Sequence, residues 1–339
     1  VGIVDTEDAT NLSEGYTGQI MAAYTYQMNL NSSFTGDDNL YIRLKSGNAD
    51  SWSDTKNVYN GYLSAAKGNF DYLKVDKIWY TMPVGERNTI WIGPQIENYY
   101  MHATTPSIYK PVLKAFTLGG NAAAYGASTS PGAGWAYQAD NGFAVSSNFT
   151  TQDGEDTGGM LTDDGKTSWA TQVGYTKPRY SVSAIVNMKY NGWADAYFGT
   201  TNGIARSNSA GSTNIGLRAW WRPEETGTAM PSISLGFDTS DIDTAAGKTT
   251  DMYFVGLNWE DMLQADDKIG LALTQPLKVS SIVGGGAVTE VDPLLWELYY
   301  SFKPNDSMSI TPAIFGGSDS WADDDDDTFG AVVTTTFKF

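Results

Sequence analysis

The sequence predicts an all-β protein, a sixteen-stranded antiparallel up-and-down transmembrane β-barrel with an inward-folded third loop. Three observations carry that expectation. Period-two segments recur from one end of the chain to the other, as strands with two unlike faces require. The connections between them alternate between short and long, which gives a barrel two different rims. The closing segment FGAVVTTTFKF, residues 329–339, is itself a strand that stops on an aromatic residue.

Composition bounds the reading. A chain of 339 residues could hold two ordinary soluble domains or one large β architecture. Its 36 Gly, 20 Tyr and 11 Trp, with abundant Thr, Ser and Asn, favour the second. No apolar run is long enough for a transmembrane helix, but barrel strands hide their lipid-facing surface inside a two-residue alternation. The net charge of -18 opposes a nucleic-acid partner, which needs a basic footprint. Without Cys there is no disulfide and no thiolate metal site, a usage that fits an exported bacterial surface protein. The opening VGIVDTEDATN has neither the charged nor the apolar region of a signal peptide.

Taken in order, the alternating segments are 18–34, 39–47, 70–82, 89–97, 132–140, 142–151, 167–177, 179–190, 212–223, 230–239, 250–260, 267–277, 293–303, 307–317 and 328–339. Short turns follow the odd-numbered members of this series: TGDDN, PVGERN, DNG, KPR, PEETGTAM, DMLQAD and KPND. Longer connections follow the even-numbered ones, at 48–69, 98–131, 152–166, 191–211, 240–249, 278–292 and 318–327. The same rule makes 6–17 a long-rim loop and VGIVD the end of one further strand, which completes sixteen and puts both termini on the short-turn rim. A bilayer-crossing strand needs about 9–11 residues. The five of VGIVD therefore imply a part of the protein upstream of Val1.

The faces of these segments are unlike. In LLWELYYSF, Leu294, Trp296, Leu298, Tyr300 and Phe302 oppose Leu295, Glu297, Tyr299 and Ser301. In NIGLRAWWR, Ile215, Leu217, Ala219 and Trp221 oppose Asn214, Gly216, Arg218, Trp220 and Arg222. A soluble sandwich has the same period, with the apolar face as its core. Aromatic residues near strand ends (Tyr180, Tyr190, Trp221, Tyr253, Trp259) suit an interfacial girdle instead. A sandwich would also mix its loop lengths.

Three stretches, SSFTGDDNLYIRLKSGN (32–48), TTDMYFVGLNWEDM with DKIGLALTQP (249–276), and PLLWELYYSFKPNDSMSITPAIFGGSDS (293–320), resemble the barrel domain of cyanobacterial outer-membrane porins of the carbohydrate-selective, OprB-like family. The resemblance implies a homotrimer in the outer membrane, in contact with its lipid and lipopolysaccharide. It also implies passage of inorganic ions, iron species or small hydrophilic solutes including carbohydrates, with no cofactor. Members of that family reach peptidoglycan through an N-terminal S-layer-homology domain and a coiled coil, neither of which these residues contain. The terminal Phe339 resembles the signal by which such barrels are inserted.

In a sixteen-stranded barrel the third long-rim loop commonly folds inward and narrows the lumen, and by this count it is 98–131. It is apolar for an exposed loop, with Tyr99, Tyr100, Ile108, Tyr109, Val112, Leu113 and Phe116. It has no Asp or Glu but carries Lys110, Lys114 and His102, the one histidine of the chain. The inferred inner faces add Arg43, Lys45, Lys74, Lys189, Arg218 and Arg222, against Asp76, Glu97, Asp238 and Glu297. Basic side chains in a narrow aqueous path favour anions and oppose cations. The expected constriction set is therefore Lys110, Lys114, His102, Tyr109, Arg43, Lys45, Lys74, Arg218, Arg222 and Glu297.

Other readings stand beside this one. Inward basic residues also pair with neighbouring strands for structure alone. Trp220 and Tyr299 on the inner face leave sugar stacking open. The DDDDD run at 323–327 could hold a divalent cation but lacks the spacing of a dedicated calcium loop. No metal is assigned. An enzymatic barrel needs a His base beside a nucleophile, and His102 has only unremarkable Thr and Ser neighbours, so no catalytic residue is assigned. A plugged structural barrel and a soluble lectin-like β protein are the remaining alternatives.

Overall fold

The computed structural model describes residues 1–6, 20–49, 62–69, 71–125, 129–152, 154–193, 211–243, 248–282, 288, 292–319 and 327–339. They form one sixteen-stranded sheet in which all the neighbouring strands are antiparallel. The strands are β1 (Gly2–Thr6), β2 (Thr25–Ser32), β3 (Asn39–Gly47), β4 (Lys74–Val84), β5 (Asn88–Glu97), β6 (Thr129–Gln138), β7 (Phe143–Gln152) and β8 (Lys166–Lys177). They continue with β9 (Tyr180–Lys189), β10 (Ser212–Trp221), β11 (Ser232–Ile242), β12 (Lys248–Glu260), β13 (Lys268–Ile282), β14 (Leu294–Asn305), β15 (Met308–Ser318) and β16 (Thr328–Phe337). Each strand from β2 to β16 pairs with its neighbour in sequence, and β1 pairs with β16. Among the described residues no ladder joins β1 to β2.

The expected segments coincide with these strands, apart from their ends. β2 starts at Thr25 rather than at 18, and β13 runs to Ile282, five residues beyond its expected end. The short turns close locally. Asp38 accepts from Ser33 Oγ (2.6 Å), Thr35 N (2.8 Å) and Tyr80 Oη of β4, and these donors hold its carboxyl well below the usual carboxylate range. Asp267 repeats the device in the turn after β12, accepting from the amides of Met262, Leu263 and Gln264 and from Tyr300 Oη of β14.

The burial of the strands is inverted relative to a soluble protein. Along β9, Ser181, Ser183, Ile185, Asn187 and Lys189 are covered while Tyr180, Val182, Ala184, Val186 and Met188 are exposed. On β10, Leu217 is 49% exposed and its neighbour Arg218 only 3%. Leu235, Val255, Leu273, Leu298, Ile314 and Val333 continue the exposed apolar face across β11 to β16. Tyr180 and Tyr190 mark the two ends of β9 on that face. Apolar side chains left uncovered at this density require a nonaqueous neighbour.

The polar face is covered because the sheet curls around residues 98–125. Leu113 belongs to one apolar cluster with Phe315 of β15, whereas its neighbour Lys114 shares a cavity with Arg43 of β3. Twelve strand spacings separate β3 from β15, roughly 58 Å if the sheet were flat. Adjacent residues cannot bridge that distance, so the two walls must face each other. The largest core cluster lies inside this curl, where Tyr109, Leu113 and Phe116 meet Phe254, Leu295, Tyr299 and Phe315.

Candidate functional site

Segment 98–125 leaves β5 through a 3₁₀ turn, Asn98–Met101, and crosses the interior. Pro106 and Pro111 each remove a backbone donor that a ladder would use. It reverses at Leu118, Gly119 and Gly120, which have φ of 62°, 74° and 93°. The φ of 93° at Gly120 is one that L side chains rarely adopt, so the reversal favours glycine there.

Inner-face side chains from many strands fasten the segment. Glu297 of β14 accepts from Tyr109 Oη (2.9 Å) and from the amides of Val112 (3.2 Å) and Leu113 (2.7 Å). Ser234 Oγ of β11 accepts from the amides of Ile108 and Tyr109. Arg218 of β10 donates to Leu118 O (2.8 Å) and Gly120 O (2.9 Å) and pairs with Asp238 of β11 at 2.5 Å, both side chains fully buried. Asp238 also accepts from Ala124 N. Gln172 of β8 accepts from Thr104 N and donates to Thr104 O and Tyr125 Oη. Lys189 Nζ of β9 donates to Ala123 O, and Trp220 Nε1 to Thr105 O.

These contacts draw the segment toward β6–β16 and leave an opening against β2–β5. The cavity there has a volume of about 1030 Å³. Its lining holds six cations, Arg43, Lys45, Lys67, Lys77, Lys110 and Lys114, against two carboxylates, Asp76 and Glu97. Both carboxylates are engaged: Asp76 with Lys45 at 2.5 Å and Arg43 at 4.0 Å, and Glu97 with Lys77. An aromatic row backs the cations. Tyr41, Trp79, Tyr100 and Tyr99 follow one another at ring separations of 4.5, 5.3 and 4.9 Å. Arg43, Lys77 and Lys114 lie within 6 Å of Tyr41, Tyr99 or Tyr100 rings, an arrangement that stabilises the cations in place. Burial, with Lys45 and Arg43 nearby, pushes the Lys114 ammonium down to about 8 despite Asp76. Burial and the charges of Lys114 and Lys45 push that of Lys67 to about 7.

The expected site residues fall into three groups. Arg43, Lys45, Lys110, Lys114, Tyr109 and His102 line the opening. His102 meets Tyr125 edge-on at 5.5 Å, with Nδ1 3.4 Å from Asn148 Nδ2. Arg218 and Glu297 are on the inner face, but both are buried under the segment they hold and face no open space. Lys74 and Arg222 are not brought to the opening. Lys74 is exposed at the start of β4, and Arg222 lies past the end of β10 on the short-turn rim, donating to Pro178 O. Trp220 and Tyr299 are covered, 7% and 4% exposed, so neither offers a free ring to a sugar. Asp323 to Asp326 of the acidic run lie outside the described residues.

Two cations of the opening escape a reading by strict alternation. A register shift in the β3–β4 ladder sets Arg43 opposite Lys77 and Leu44 opposite Val75, so the bulge turns both Asp76 and Lys77 inward. Lys67 comes from the connection between β3 and β4, which docks on segment 98–125. Ser64 N donates to Val112 O and Lys114 N to Tyr62 O.

The chain matches no protein-family model and no curated protein. Its fold is similar to solved structures at low sequence identity. OprB of Pseudomonas putida is 14% identical with a TM-score of 0.64, the match covering 100% of this chain and 92% of that one. A loop L8 deletion mutant of OmpT, an outer membrane protein of Vibrio cholerae, is 12% identical with a TM-score of 0.57 and 99% of each chain covered. An anion-selective porin from Comamonas acidovorans is 10% identical with a TM-score of 0.58, covering 92% of this chain and 88% of that one. The fold is thus that of outer-membrane porins.

Proposed function

We propose that this chain is a porin of the bacterial outer membrane, a closed sixteen-stranded barrel that passes inorganic ions and small hydrophilic solutes by diffusion and favours anions. The observation that carries the reading is the inverted burial of the strands, with Leu217 exposed and Arg218 covered, combined with a cation-lined opening beside segment 98–125. Lipid satisfies the outer face, and the strands' own ladders satisfy their backbone polar groups, as a bilayer demands. In this reading segment 98–125 sets the size limit, Lys110, Lys114, Lys67, Lys77, Arg43 and Lys45 set the sign of the preferred charge, and Arg218 and Glu297 hold the segment in place. No catalytic step is assigned to His102. Assembly into a homotrimer is part of the same proposal, and the anion preference of the Comamonas acidovorans structure's namesake agrees with the charge of the opening.

A plugged barrel is the competing reading, favoured by the apolar cluster that fills the β12–β16 side of the interior. Single-channel recording separates the two. A porin gives discrete, ohmic current steps from detergent-purified protein whose gel mobility shifts on heating. A plugged barrel shows the same heat-dependent mobility and no steps.

A further inference from the structure

We infer that the opening between segment 98–125 and β2–β5 is a binding subsite for divalent oxyanions of the phosphate class, and not only a path that prefers anions in general. The inference rests on the porin reading above. Its basis is an imbalance of partners. Of the six cations lining the cavity, Arg43, Lys45 and Lys77 are matched by Asp76 and Glu97. Lys67, Lys110 and Lys114 have no carboxylate within 4.0 Å among the described residues. They converge on one cavity from two different connections, Lys67 from the β3–β4 loop and Lys110 and Lys114 from segment 98–125.

Ammonium groups that outnumber the carboxylates of a narrow space repel one another, and each is destabilised by desolvation. Burial first, and the neighbouring cations second, depress the proton affinities of Lys67 and Lys114, with Asp76 opposing the shift in part. An anion that enters relieves the repulsion, and the relief grows with the charge of the anion. A potential that enriches a monovalent anion about threefold enriches a divalent one about ninefold, because the energy doubles and the Boltzmann factor is squared. A tetrahedral oxyanion also supplies several acceptor oxygens, so one ion can accept hydrogen bonds from several lysines at once, which chloride cannot do with comparable geometry. Hydroxyls of Tyr100, Ser64 and Thr105 line the same cavity as further polar partners.

The test uses the purified full chain in planar bilayers, with chloride current recorded while inorganic phosphate is added near neutral pH at constant low ionic strength. The expected result is saturable inhibition with a midpoint in the range of roughly millimolar affinity. Methanesulfonate, a monovalent anion of similar size, should be at least about threefold weaker. Lys114→Gln and Lys67→Gln should each weaken phosphate inhibition by about threefold or more, whereas Arg179→Gln, a charge change on the short-turn rim, should leave it unchanged. Persistence of the effect in a bilayer of phosphate-free glycolipid assigns it to free phosphate, and its loss there overturns the inference in favour of a lipid headgroup. If a variant fails to fold, shown by unchanged gel mobility on heating, the phosphate and methanesulfonate comparison on the unmodified chain decides alone. Anion-selective current that responds equally to the two ions overturns the subsite and leaves the porin reading standing. Absence of current in folded protein overturns both.

Discussion

Glu297 offers the sharpest perturbation of segment 98–125. Its two carboxylate oxygens accept three hydrogen bonds from that segment, from Tyr109 Oη, Val112 N and Leu113 N, and its side chain is 0% exposed. Glu297→Ala removes the acceptor and leaves three buried donors unsatisfied, at about 1–3 kcal/mol each. The other fastenings of this stretch are the Ser234 hydroxyl and the pairing with Tyr62–Ser64, which keep part of the geometry, so a net loss of about 4 kcal/mol is a reasonable scale. That corresponds to a shift of roughly a thousandfold in the ratio of fastened to released states of residues 108–113. The far end, 118–125, stays held by Arg218, Asp238 and Lys189. Single-channel recording should therefore show a larger mean conductance and excess open-channel noise for the variant. Tyr109→Phe, which removes one of the three bonds, should give a smaller effect in the same direction. Folded Glu297→Ala protein with the conductance and noise of the parent would refute the assignment of Glu297 as the fastening of the segment.

Three further outcomes follow from the same geometry. Arg218→Ala leaves Asp238 buried without its cation, which should cost about 3–5 kcal/mol and lower the temperature of the heat-dependent gel shift. The double change Arg218→Met with Asp238→Leu should recover a large part of that loss. The anion preference, read as a reversal potential, should weaken as pH rises through the range from about 7 to about 8 in which Lys67 and Lys114 lose their protons. The sign for stability is opposite: the unfolded chain binds more protons on Lys114 between about 8 and its ordinary 10.5, so this group's contribution to stability rises with pH across that window. Leu217→Arg places a charge on the exposed apolar face and should cost about 2–4 kcal/mol if that face meets the bilayer midplane, read as a lower yield of folded protein in vesicles.

The strands were legible in the sequence because both faces are constrained. Lipid on one side and covered polar groups on the other impose a period of two that survives along LLWELYYSF or YSVSAIVNMK without help from tertiary contacts. Residues 98–131 were legible as unusual, since a loop with no acid and with large apolar side chains such as Tyr109, Leu113 and Phe116 needs somewhere to pack. What holds it was not. Tyr109 and Glu297 are 188 residues apart, and Leu118 and Arg218 are 100 apart, so no local pattern announces either contact. Arg218 and Glu297 read as pore-lining charges for that reason, although burial makes them fastenings. Lys77 was hidden by the bulge at Asp76, which breaks the alternation that placed Lys74 on the inner face. Lys67 lies on a loop, where no alternation applies.

The central claim is a water-filled, anion-preferring channel beside segment 98–125. The most direct measurement is the reversal potential of single channels from the purified chain under a potassium chloride gradient. The account predicts discrete ohmic steps with a reversal potential displaced toward the chloride equilibrium value, and a smaller displacement for Lys114→Gln. Strong cation selectivity, or no steps from protein whose gel mobility shows it to be folded, would contradict it.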